Sequence, residues 1–84
     1  MRVTIEGMEY RAETATGLID QIKDLHWAAG KDATAEEYLK IQKKSYKAAT
    51  GRTLHLPWGS TEKKALAMFK AIAKIGGWEF TESE

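Results

Sequence analysis

The sequence predicts an α+β domain with one small sheet and helices packed on one of its faces. Three observations carry that reading. Short stretches near both ends and in the middle alternate apolar and polar residues, as half-buried strands do. Three longer stretches repeat apolar residues every three or four positions, each behind a residue suited to cap a helix. With 84 residues, 43% of them hydrophobic, the chain has the size of a single domain spanning residues 1–84. The expected order is an N-terminal β-hairpin, two helices, a strand, a helix and a short C-terminal strand.

The hairpin comes from Val3 to Ala12, where Glu6-Gly7 supplies a two-residue turn with Gly at its second position. That turn pairs Ile5 with Met8 and Val3 with Tyr10. It directs all four to one face and leaves Thr4, Glu9, Arg2 and Arg11 on the other.

Thr14 is placed to cap a first helix that runs to about Ala29 and ends at Gly30. Leu18, Ile22, Leu25 and Ala29 form its apolar stripe, with Ile19 and His26 along the edge and Trp27 almost opposite. Thr34-Ala35-Glu36-Glu37 has the spacing of a capping box. It opens a second helix that reaches Thr50 and closes on Gly51. Ala35, Tyr38, Leu39, Gln42, Tyr46 and Ala49 are its expected buried face.

Thr53 to Leu56 alternates again, with Leu54 and Leu56 inward, and Pro57 ends that strand because it cannot donate to a ladder. Ser60 caps a third helix reaching Ile75, with Glu62 favourable to the dipole of its first turn. Ala65, Leu66, Phe69, Ile72 and Ala73 make its core stripe, flanked by Met68 and Ile75. Gly76-Gly77 stops it, Trp78 to Thr81 is the last strand, and the acidic residues 82–84 are expected to fray.

Charge is distributed unevenly. Met1 to Glu37 holds four basic residues against eight acidic ones, a net of −4, and Tyr38 to Lys74 holds nine basic residues against Glu62 alone, a net of +8. Such an asymmetry suits a basic surface aimed at nucleic acid or an acidic partner, or two regions that attract one another. Without Cys there is no disulfide framework, thiolate nucleophile or Cys-ligated metal. The start of the chain does not read as a signal peptide, and no apolar run is long enough to span a membrane. The expected setting is the cytoplasm, with no membrane partner.

Read together, Val3-Thr4-Ile5-Glu6-Gly7-Met8-Glu9-Tyr10, Glu37-Tyr38-Leu39, Ala49-Thr50-Gly51 and the last helix closing on Gly76-Gly77 resemble small uncharacterised proteins encoded by bacteriophages and prophages. The resemblance spans most of the chain. It implies a fold and a phage or prophage setting, and it brings no catalytic motif with it.

The residues that bear chemistry point to binding and away from catalysis. His26 and His55 lack the spacing that sets two ligands on one helix turn, so no metal or cofactor is expected. His26 reads as a partly buried histidine and His55 as an outward strand residue. Asp20 and Asp24 share a helix face with Lys23, which offsets them. No serine has a neighbouring base or a nucleophile elbow, and the glycines form no phosphate cradle.

The densest constellation is Lys40, Lys43, Lys44 and Lys47 within about 100° of the second helix, with Arg52 just past its cap. Lys63, Lys70 and Lys74 make a similar stripe on the third helix. A lysine face is either solvated cover or a phosphate-binding surface. Trp27, on the polar side of its helix, either packs or offers a binding anchor. Trp58, between Pro57 and Gly59, is expected to cap the edge of the core, with a protruding anchor as the alternative. The expectation is a non-enzymatic binding protein that uses Lys40, Lys43, Lys44, Lys47, Arg52 and Trp27 on nucleic acid or an acidic protein. The alternative is an interaction or self-assembling module, a homo-oligomer included, that uses exposed tryptophan.

Overall fold

Glu6 and Gly7 both adopt positive φ, 51° and 82°, the geometry of a primed turn whose twist matches that of a hairpin. They join β1 (Arg2–Ile5) to β2 (Met8–Arg11) in the expected register, Ile5 opposite Met8 and Val3 opposite Tyr10. The computed structural model describes residues 1–23 and 34–82. After the hairpin come α1 (Ala15–Ile22), α2 (Ala35–Thr50), α3 (Thr61–Lys74) and β3 (Glu79–Thr81). β3 pairs antiparallel with β1, placing Phe80 opposite Val3, so the sheet runs β2-β1-β3 with the first strand in the middle. The expected α+β class is the observed one, with the helices packed against a small sheet.

One face of the sheet carries the core. Val3 is fully buried and Ile5 nearly so, beneath Leu18, Ile19 and Ile22 of α1, Tyr38 and Leu39 of α2, and Ala65, Met68, Phe69 and Ile72 of α3. Phe69 is the hinge between layers: Phe80 stacks on it at 5.2 Å and Trp78 tilts against it at 5.8 Å. On the outer face, Glu9 links Arg2 at 3.1 Å and Arg11 at 3.3 Å. The Arg11 hydrogen bond, with help from Arg2, holds the Glu9 carboxyl below its ordinary pKa.

Local capping chemistry sets the helix starts. The Thr14, Thr34 and Ser60 side chains accept from the backbone N–H of Gly17, Glu37 and Lys63, and the Thr34–Glu37 capping box is complete. Gly51 closes α2 in the left-handed region at φ 74°, a conformation that glycine adopts without a Cβ penalty. Leu25, His26, Trp27, Ala29, Gly30 and the Lys31-Asp32-Ala33 connection lie outside the described residues.

Several expectations are corrected. Thr53 to Leu56 is not a strand: the sheet consists of β1, β2 and β3, and this segment serves as the connector from α2 to α3. Its alternation persists, with Leu54 buried, His55 exposed and Leu56 half-buried, because a connector laid against a core alternates as a strand does. Met8 is exposed, since β2 is an outer strand and Met8 sits at its turn end. Ile19 and Met68 belong to the core and not to its margins. Ala49 and Ile75 are exposed because α2 and α3 outrun the core at their C-terminal ends. Trp78 precedes the last strand, which begins at Glu79. Glu82, assigned to the fraying end, ion-pairs with Lys70 at 3.0 Å. Among the described residues no helix is long and apolar enough to cross a membrane.

Candidate functional site

α2 is anchored at its beginning and projects at its end. Tyr38 and Leu39 are buried in the second turn, Gln42 and Tyr46 are half-buried, and Ala48 and Ala49 face solvent. Burial pushes the Tyr38 phenol well above its ordinary pKa, with the Gln42 hydrogen bond acting the other way, so it stays neutral. On the opposite face Lys40, Lys43, Lys44 and Lys47 are all exposed. From Lys40 to Lys47 this stripe extends about 10 Å along the axis. Arg52, one residue past the cap, is exposed too. None of these five cations makes an ion pair among the described residues. Lysines three and four apart on one helix repel, so the stripe disfavours the helix that carries it.

The connector runs back along this face. Thr53, at its start, borders a depression of about 530 Å³ with Lys43, Lys44 and Lys47. Leu56, Pro57 and Trp58, at its end, border a second of about 300 Å³ with Leu39, Lys40, Lys43 and Lys64. Lys43 borders both, so the two depressions lie side by side along the groove between α2 and the connector.

Among the described residues one carboxylate borders the groove. Glu36 accepts from the Thr61 hydroxyl at 2.8 Å and from the Lys64 ammonium at 3.5 Å. The Thr61 hydrogen bond, with the charges of Lys64 and Lys40, holds its carboxyl below the ordinary range. Glu36 is therefore ionised at neutral pH and already engaged, and Lys40 and Lys43 are left facing the opening.

The tryptophans separate. Trp58 is 97% exposed, contrary to its expected place at the core edge. Leu56 takes that place, half-buried against the core, and Pro57 carries the chain outward before Ser60 caps α3. Trp78 is half-buried on Phe69. Trp27 and Asp24 lie outside the described residues. Asp20 pairs with Lys23 at 3.3 Å, as expected, and His55 is exposed, as expected.

The third-helix stripe divides. Lys70 is bound to Glu82, and the α3 lysine that reaches the groove is Lys64, which that stripe omits. The sequence signal for Trp58 is the Pro-Trp-Gly tripeptide: an aromatic between two residues that interrupt regular structure has no helix or strand face to bury it. Lys64 carries no such signal, because it is brought to the groove by the packing of α3 on α2.

Among the described residues no three His, Asp or Glu side chains gather as a metal site requires. Comparison with protein-family models, with curated proteins and with solved structures returns no match.

Proposed function

We propose that this chain is a non-enzymatic binding protein, of the phage or prophage kind it resembles, that contacts the phosphates of nucleic acid through the lysine face of α2. The observation that carries the reading is the set of five exposed cations, Lys40, Lys43, Lys44, Lys47 and Arg52, without ion pairs among the described residues. A face intended only for solubility gains from mixed signs and from i,i+4 pairs of opposite charge. From Lys40 to Lys47 this one repeats a single sign, at a cost to the helix that Glu36, four residues before Lys40, offsets at one end only. Each phosphate contact releases counterions, so such a face binds through charge and reads little sequence.

The test is anisotropy of labelled DNA and RNA oligonucleotides against the native chain and the Lys40→Glu/Lys44→Glu double variant. Affinity should fall at least tenfold in the variant at low salt. Binding unchanged by the double reversal rejects the reading.

An acidic protein surface would engage the same cations, and binding to acidic proteins with none to nucleic acid would select it. The exposure of Trp58 favours a second reading, an interaction or self-assembly module. Sedimentation that finds only monomer from low to high concentration removes self-assembly.

A further inference from the structure

The groove contains an aromatic ring as well as charge, and that combination bears on which form of nucleic acid it takes. Trp58 is 97% exposed, so both faces of its indole are open without any rearrangement. Its backbone is anchored on both sides. Pro57 restricts the backbone before it, Leu56 packs on the core one residue earlier, and the Ser60 hydroxyl caps α3 two residues later. The same groove is bordered by Lys40, Lys43 and Lys64.

Resting on the reading of the lysine face given above, we propose that this groove binds an unpaired polynucleotide strand, with one base stacked on Trp58 and its flanking phosphates on Lys40 and Lys43. In a duplex each base is already stacked on its neighbours, so the indole face adds nothing there. An unpaired strand offers free base faces, and every base has one. The lysines attract either form, whereas Trp58 favours the unpaired one. Stacking does not consult the 2′-hydroxyl, so DNA and RNA strands of one sequence should bind alike. The charge of the groove agrees with this occupant, since the one carboxylate among the described residues that border it, Glu36, is engaged by Thr61 and Lys64.

The experiment compares the native chain with Trp58→Ala and Trp58→Phe, using a labelled oligothymidylate of about 12 nucleotides, within the range of such sites. The same strand annealed to its complement and the RNA equivalent are run beside it. The expected result is a preference for the unpaired strand that Trp58→Ala reduces roughly 5- to 150-fold and Trp58→Phe largely retains, with duplex affinity unmoved. Because the ring touches so little of the protein, both variants should melt as the native chain does. Salt-sensitive binding that is equal for strand and duplex, and indifferent to Trp58→Ala, overturns this inference and leaves the lysine face standing. Absence of binding by every oligonucleotide at low salt overturns both. Loss of self-association in Trp58→Ala, with strand binding intact, overturns it in favour of a protein contact at the indole.

Discussion

The carboxylate of Glu62, in the first turn of α3, accepts the backbone N–H of Ala15 at 2.7 Å. It also accepts the N–H and hydroxyl of Thr16 at 3.0 and 3.1 Å, so one side chain from late in the chain caps the first helix. Those N–H groups belong to the first turn of α1, where a helix lacks internal acceptors and carries partial positive charge. Glu36 does related work one helix away by accepting from Thr61, the first residue of α3. Two glutamates thus tie α2 to α3 and α3 to α1.

Replacing Glu62 by Ala removes the acceptor from two helix-start N–H groups and should cost about 2 kcal/mol. Glu62→Gln keeps one oxygen without the charge and should cost about half as much. Urea unfolding followed by circular dichroism measures both. An Ala variant as stable as the native chain would mean that water satisfies those groups equally well.

Acid should destabilise the fold through the same carboxylates. Burial pushes Glu62 up, but hydrogen bonds from Thr16 and Ala15 outweigh it and leave the group below its ordinary value of 4.5. Glu9 and Glu36 are lowered as well, by Arg11 and Thr61 foremost. A group whose pKa is lower folded than unfolded contributes stability that is complete above the unfolded value and lost as pH falls through the folded one. The urea midpoint should therefore hold from neutrality to about pH 5 and decline below it. Glu62→Gln should show a shallower decline, and an identical decline would remove Glu62 from this account.

How legible these relationships are depends on their reach along the chain. Thr14, the Thr34–Glu37 box, Ser60, Gly51 and the Glu6-Gly7 turn are local devices, and each stands where the sequence places it. Long-range pairing is another matter. The alternation of Leu54 and Leu56 is a true burial pattern, but whether a partner strand lies beside it is decided elsewhere in the fold. Glu62 was legible as a favourable charge for its own helix, and its bonds to Ala15 and Thr16 depend on how α3 packs against α1. Of the site, the α2 lysines could be read from helical spacing alone. Trp58 and Lys64 could not be joined to them without the course of the connector.

Phe69 joins the helix layer to the sheet by contacts with Trp78 and Phe80. Truncation to Ala should cost about 3–5 kcal/mol, against a total of roughly 4–13 kcal/mol for a domain of this size. Most of the native near-ultraviolet dichroism should disappear in that variant, because two of the rings held against Phe69 lose their fixed surroundings. A fully cooperative, native-like melt would contradict the assigned role.

The lysine stripe makes opposite demands on stability and binding. Lys43→Gln removes repulsion with Lys47 and Lys40, so it should stabilise the fold by about 0.4–1 kcal/mol at low salt. That gain should vanish near 1 M salt, where surface charges are screened. The same variant should bind oligonucleotides more weakly. A variant that is destabilised at low salt would argue that Lys43 is held by contacts and is not free to meet a ligand.

The most direct test of the central claim, that the α2 lysines with Arg52 form a phosphate-binding face, is the slope of log affinity against log salt for an unpaired strand. Five cations each displacing a counterion predict a slope near −3.5, equivalent to about a hundredfold loss between 50 and 200 mM salt. Each lysine replaced by Gln should reduce that slope by about 0.7. A slope near zero, or one unaltered by removing Lys40 or Lys44, would contradict the account.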